Sequence, residues 1–339
     1  MSRPGWVKLD PAMVSTLDEV LSRLPKALLP LQDDPEQSDA LGINSKNFRL
    51  KTTKGVFVLK RWSEQASLLE IRNTLSIMAW LASQQLPVPE PVALQQDSFA
   101  LSVGSAKWSL FPFVEGAYFS GADDELHSAA EATGRLMETL LQLPAAYLPT
   151  DGPAQMTVAD GAILARMMNA SRTWDAMLGE DLAALLALSW PLLISEWESL
   201  SAPKLPNSRT QAAHFDLHPH NLLIADGRVA AMLDFEACKV MPVGFALGFA
   251  ALKQCRQAMS LRALPGNPRL VGSLYANHLQ GACPSVSELV PHLGTFAVAE
   301  VLRRICTILR LNLEQGEKKW NKVLAVQLCH LGEARALFT

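Results

Sequence analysis

The sequence predicts an α+β fold in two lobes, a small strand-rich one followed by a larger, mainly helical one, and three observations carry that reading. A chain of 339 residues exceeds the roughly 250–300 at which one hydrophobic core stops growing. Asp226-Gly227 sits between two apolar runs, a strong signal for a tight β-hairpin, and a turn at Lys54-Gly55 between Phe48–Lys51 and Val56–Lys60 reads as another hairpin. After Glu115-Gly116 the pattern changes from short apolar runs to long stretches with helical spacing. The expected division is 1–115 for the strand-rich lobe and 116–339 for the helical one.

Taken in order, Val14, Leu17, Leu21 and Leu24 follow helical spacing before Pro25 interrupts, and Gln32 to Asp39 reads as a polar loop. Phe48-Arg49-Leu50-Lys51 and Val56-Phe57-Val58-Leu59-Lys60 form the arms of the first hairpin. A helix runs from Ser67 past Leu81 and stops before Pro87-Val88-Pro89, whose rings bar its continuation. Val92–Leu94, Phe99–Leu101 and Trp108–Phe111 are short strand candidates. Asp123-Asp124 can cap a helix that ends at Pro144, and Trp174–Leu200 and Phe296–Leu311 are long and helical in pattern.

Composition narrows the class. Forty-nine per cent of the residues are hydrophobic and the formal charge is −3, so there is material for a core but no basic field for nucleic acid or an anionic membrane. An anion site must therefore build its positive potential locally. The five cysteines, Cys238, Cys255, Cys283, Cys306 and Cys329, are scattered and odd in number, which argues against a disulfide framework and fits a reducing cytosol. No apolar run reaches membrane-spanning length. A soluble cytoplasmic protein is expected.

The chemistry is concentrated in His214-Phe215-Asp216-Leu217-His218-Pro219-His220-Asn221 and in Leu233-Asp234-Phe235. The second hairpin lies between them, so Asn221 enters one strand and Asp234 leaves the other. Paired strands run about 4.8 Å apart, and the two oxygen-bearing side chains converge at the open end. Asp216 lies just upstream in a Pro-containing segment. An amide oxygen and carboxylates gathered at a hairpin mouth suit a hard cation such as Mg²⁺, with one carboxylate left as a base. That set suits phosphoryl transfer.

The combination His-x-Asp-x-x-x-x-Asn with a later hydrophobic-Asp-Phe resembles the catalytic segment of the kinase-like small-molecule phosphotransferases, among them aminoglycoside phosphotransferases, choline kinases and type II homoserine kinases. The resemblance implies a protein-kinase-like two-lobed fold, ATP and Mg²⁺ as cofactors, and as acceptor the hydroxyl of a small molecule (an amino alcohol, a homoserine-like compound, a sugar or an aminoglycoside), with a small amino alcohol or sugar as the leading expectation. It assigns Asp216 to the acceptor hydroxyl, His214 to bracing the loop, and Asn221 and Asp234 to the metal. Lys60 looks like the strand lysine that touches the nucleotide phosphates. Its carboxylate partner is expected at Glu70, with Glu64 as the fallback. The turn containing Gly42, Asn44 and Ser45 stands where a phosphate-covering loop belongs, and Phe111, Phe113 and Val114 where the adenine-binding segment belongs. Without the downstream motif, that turn reads as an ordinary polar loop and Lys60 as a strand-end charge.

Other residues carry rival readings. His218 and His220, with Asp216 and Asp234, could form the metal site of a hydrolase, or face solvent or substrate. Glu236 could take up a cationic substrate or be a surface carboxylate. Arg303 and Arg304 read first as a salt-bridged helix face, although one could reach an acidic substrate. The sequence also departs from the family: Ala246 stands where relatives carry an Asp that braces the catalytic loop. That loss suggests the alternative of a nucleotide-binding interaction module without turnover.

Overall fold

The computed structural model describes residues 5–10, 13–38, 46–95, 98–148, 154, 156, 160–200, 205–261 and 267–338. The class is α+β, strands first and helices after. By contact the chain forms two compact units. One comprises Met1–Ser120, Thr139–Thr150 and Pro219–Cys238, the other Gly121–Glu138, Asp151–His218 and Lys239–Thr339. A single break at 115/116 therefore does not describe the units, because the second hairpin groups with the first.

The first unit is built on an antiparallel sheet with strand order β1-β2-β3-β4-β6-β5. Its strands are β1 (Trp6–Lys8), β2 (Glu36–Ser38), β3 (Lys46–Thr52), β4 (Gly55–Arg61), β5 (Ala100–Val103) and β6 (Ala106–Pro112). The first hairpin pairs Thr52 with Gly55 and Asn47 with Lys60. Successive side chains on a strand point to opposite faces. Leu59 on β4 and Phe48 and Leu50 on β3 thus pack with helix α1 (Val14–Ser22), through its buried Leu17 and Val20. Val58 and Lys60 take the other face. The sequence reading assigned Gln32–Asp39 to a loop, but Glu36–Ser38 is a strand. Its Glu36 holds Arg49 of the neighbouring strand (Arg49 Nε to Glu36 Oε2, 2.6 Å), and cross-strand pairing has won over polar composition.

Helix α2 (Leu68–Ser83) follows, and then a three-stranded sheet in the order β10-β9-β7, made of β7 (Ala117–Tyr118), β9 (Leu222–Ala225) and β10 (Arg228–Met232). Asp226 and Gly227 both have positive φ, 51° and 72°, the geometry of a type I′ turn.

In the second unit, strands β8 (Thr210–His214) and β11 (Cys238–Pro242) pair beside helices α3 (Asp123–Leu140), α4 (Gly161–Asn169), α5 (Trp174–Leu178), α6 (Glu180–Leu200), α7 (Val243–Leu261), α8 (Pro268–Ala282), α9 (Leu293–Gln315) and α10 (Asn321–Phe338). The stretch from Trp174 to Leu200, mostly helical in pattern, forms two helices divided at Gly179, whose φ of 88° no right-handed helix accommodates. The core lies where α7 crosses α9: a Cβ on Gly248 would stand 2.6 Å from the Ala297 backbone nitrogen, so only glycine permits that approach. Among the described residues no helix is long and apolar enough to cross a membrane.

Candidate active site

In the first unit, alternation on β4 turns Val58 and Lys60 toward a cavity of about 270 Å³. Its walls include Val58, Met78, Phe111, Phe113, Val114 and Leu223, and at one end stand Lys60, Asn221 and Asp234. Phe111, Phe113 and Val114 thus line the same cavity as Lys60. The Phe113 N–H already donates to the Val56 carbonyl at 2.9 Å and Pro112 has none, so hydrogen bonds to a ligand edge are left to other groups of this segment. Trp6 also lines the cavity and meets Phe113 edge-on at 6.0 Å. The sequence reading missed Trp6, because a three-residue strand carries too little periodicity to be seen.

The polar end owes its geometry to the second hairpin. The ladder shifts between Val229 and Ala231, so Ala230 bulges out and Leu222 comes opposite Met232. That bulge brings Asp234 one register step nearer Asn221, and the Leu233 N–H donates to the Asn221 carbonyl at 2.9 Å. The backbone then turns sharply at Asp234, which is left-handed at φ 60° and ψ 58°. Few residues other than glycine tolerate this, Asp and Asn among them.

Lys60 meets two carboxylates there, Asp234 Oδ1 at 3.1 Å and Glu236 Oε1 at 2.5 Å. Its side chain is 13% exposed, against 47% for Asp234 and 28% for Glu236. Burial alone would lower the pKa of the ammonium, but the two carboxylates more than offset it and hold the pKa above its ordinary value. The expected partner does not take that role. Glu70 lies in the first turn of α2, where its carboxylate accepts the Ser67 N–H at 2.6 Å while the Ser67 hydroxyl accepts the Glu70 N–H. This reciprocal capping box occupies the side chain, and the fallback Glu64 pairs with Arg61. From α2 the cavity receives Thr74 and Met78 instead. The cation that meets Glu236 is accordingly the chain's own lysine. His220 also belongs to this cavity and stands edge-on to Tyr118 at 5.4 Å. Gly42, Asn44 and Ser45 lie outside the described residues.

The second unit holds the other group. His214 is fully buried, and its Nδ1 accepts the Asp216 N–H at 3.2 Å. The Asp216 carbonyl accepts the His218 N–H at 2.8 Å, and His218 Nε2 lies 3.6 Å from Asp216 Oδ2. These contacts hold Asp216 in a tight loop with its carboxylate partly exposed. Ala246 is buried and offers the loop no polar group. Eight residues further along α7, Gln254 donates to the Leu217 carbonyl and to the Thr133 hydroxyl, both at 3.3 Å. The loop is braced from α7 by an amide. Among the described residues, one group of three histidine and carboxylate side chains, His127, Glu131 and His278, lies close enough together to share an ion.

The family model described as "Phosphotransferase enzyme family" matches residues 37–270. Curated relatives include homoserine kinases of Bradyrhizobium sp. strain BTAi1, 23% identical over 200 residues, and of Gluconobacter oxydans, 24% over 210. The matches take in 58% of this chain in both cases and 56% and 58% of those proteins, so the chain spans little more than half the length of the curated relatives it matches. Among solved structures, a spectinomycin phosphotransferase bound to ADP and spectinomycin superposes with a TM-score of 0.62 at 10% identity, covering 96% of this chain and 97% of that one. A choline kinase from Cryptosporidium parvum superposes with a TM-score of 0.54 at 11% identity, covering 95% of each. With the family model spanning well over half its length, this chain belongs to the phosphotransferase enzyme family that includes the aminoglycoside phosphotransferases.

Proposed function

We propose that this protein transfers the γ-phosphoryl group of ATP to a hydroxyl of a small molecule. The observation that carries the reading is the single cavity in which apolar walls (Val58, Phe111, Phe113, Val114) lead to Lys60, Asn221 and Asp234, in a chain of this family. An adenine ring fits the apolar part, and solved structures of this fold hold ADP or AMP-PNP. Asn221 and Asp234 offer an amide oxygen and a carboxylate, the donor chemistry that Mg²⁺ takes, and they would hold it. When bound, that ion neutralises charge on the phosphate oxygens. Lys60 supplies a fixed positive charge, already desolvated and held by carboxylates, at the same end. In the second unit, Asp216 would orient the acceptor hydroxyl and take its proton, with His214 and Gln254 fixing the loop. Such a reaction has a loose transition state, so positioning and charge stabilisation do most of the catalysis. A braced loop favours turnover over a purely nucleotide-binding role. Five free cysteines support a reducing compartment.

The test is ADP release with a panel of hydroxyl acceptors, alongside calorimetric titration of Mg-ATP. Asp216→Ala is expected to lower turnover by about 10²–10⁴ with Mg-ATP affinity nearly unchanged, whereas Asp234→Ala loses Mg-ATP binding. Wild-type turnover in Asp216→Ala would end the assignment.

A further inference from the structure

The residue before Asp216 sits under a concentration of positive charge. Phe215 and Phe249 are buried side by side with ring centroids 6.2 Å apart. Lys239 Nζ lies 4.6 Å from the Phe215 ring centre, Arg303 Cζ 5.3 Å and Arg304 Cζ 5.6 Å. Over Phe249 stand Arg304 at 4.1 Å and Lys253 at 5.5 Å. The four cations come from three elements, β11, α7 and α9. They do not belong to a basic protein, since the formal charge of the chain is −3.

The carboxylates present do not balance them. Glu300, 1% exposed, holds both arginines: Arg303 through two hydrogen bonds of 2.7 and 2.8 Å, Arg304 through one of 2.5 Å. Arg256 pairs with Glu333. Among the described residues, no carboxylate is within ion-pairing distance of Lys239 or Lys253. Burial lowers the Lys253 pKa and Arg304 and Arg256 lower it further, with Asp216 and Glu333 opposing, to about 8. Lys239 is lowered by burial and by Arg303 and Arg304, against Glu300. A salt-bridged helix face would need only the arginines and Glu300. The two lysines add like charge that costs free energy in the absence of an anion. Both arginine side chains remain 26% exposed, so a ligand can reach them.

We propose that the acceptor carries an anionic group, a carboxylate or a phosphate, as well as its hydroxyl, and that Lys239, Lys253, Arg303 and Arg304 bind that group beside Asp216. This rests on the reading of Asp216 as the residue that receives the acceptor. Guanidinium forks match the paired oxygens of carboxylate and phosphate, and ammonium groups add point charge. An acceptor whose only charge is an amine is repelled by the same cluster.

The test uses the full chain and a Lys239→Met/Lys253→Met double variant, which leaves the Glu300 pairs intact and so spares the fold. Inorganic phosphate is titrated calorimetrically with Mg-ADP saturating the nucleotide site. The wild type is expected to bind phosphate, and the variant about tenfold or more weakly. Equal binding, or none by the wild type, overturns the proposal. In parallel, kcat/KM is compared for glycerol, glycerate, glycerol phosphate and an amino alcohol. A preference for glycerate marks a carboxylate acceptor and one for glycerol phosphate a phosphorylated one, and in either case the preference collapses in the variant. Efficient transfer to the uncharged or amine-bearing alcohol, unaltered by the variant, overturns the anion site and leaves the kinase reading standing. Phosphate binding that the variant loses, with no transfer from ATP to any acceptor, would fault the kinase reading alone.

Discussion

Lys60 is held by carboxylates that follow the hairpin, not by one on α2, and this changes what Glu236 is expected to do. Glu236→Gln removes the charge on the closer of the two contacts to Lys60. A hydrogen bond to a charged group contributes about 1.5–3 kcal/mol, so the KM for ATP should rise about tenfold, equally for cationic and uncharged acceptors. An effect confined to amine-bearing acceptors would return Glu236 to the substrate role suggested by the sequence. Lys253 permits a test by pH. Its folded pKa of about 8 lies below the ordinary 10.5, so between those values the unfolded chain binds more protons and stability rises with pH. Lys253→Met removes that gain. In anion-free buffer the variant should be the more stable protein in urea at pH 7.5, with the difference closing toward pH 10; a difference independent of pH would contradict the assigned cause. The meeting of Asn221 and Asp234 at one cavity was legible because a hairpin with a strong local signature lies between them. The Lys60–Glu236 contact was not legible, because it spans the chain and nothing near Glu70 in sequence announces that its carboxylate is spent on a cap.

Elements with a strong local signature were read correctly and those sustained by distant contacts were missed. Asp226-Gly227 gave the second hairpin because two positive φ values in succession leave few other sequences. The bulge at Ala230, the pairing of β7 with β9 and the short strands β1 and β2 have no such signature; they exist because a neighbour supplies the hydrogen bonds. Helix α7 shows both sides. Its Gly248 meets the backbone of α9, and Gly248→Ala should destabilise the protein by roughly 1–3 kcal/mol through overpacking, visible as a lower urea midpoint. Its Gln254 donates to the Leu217 carbonyl, next to Asp216. Gln254→Leu leaves the Leu217 carbonyl without this donor, and the expected result is a fall in kcat exceeding any change in ATP KM. Unchanged kcat in a well-folded Gln254→Leu protein would show that the loop holds its shape without α7.

At the scale of the whole molecule, the first unit is assembled from three stretches of chain, and Pro219–Cys238 returns to it after a long excursion. The sequence could not reveal this: a division drawn at the change of pattern near residue 115 follows chain order, whereas the sheet follows hydrogen bonds. The returning hairpin supplies β9 as the partner of β7, accepts the Phe119 N–H at the Leu222 carbonyl, and donates the Met232 N–H to the Pro87 carbonyl. It also brings both carboxylates that balance Lys60. A fragment of residues 1–120 would keep the six-stranded sheet and its α1-backed core but lose all of these. Unpaired backbone groups and a largely buried lysine without counter-charge each cost about 1–3 kcal/mol. For a domain of this size that corresponds to roughly 10 °C or more in Tm. Appending residues 219–238 to the fragment through a flexible linker should recover part of the loss, and the Asp226-Gly227 turn should fold the appended segment locally. Melting of the two fragments by circular dichroism decides the matter. Equal transition temperatures would mean that the hairpin serves the site chemically and contributes little to holding the first unit together.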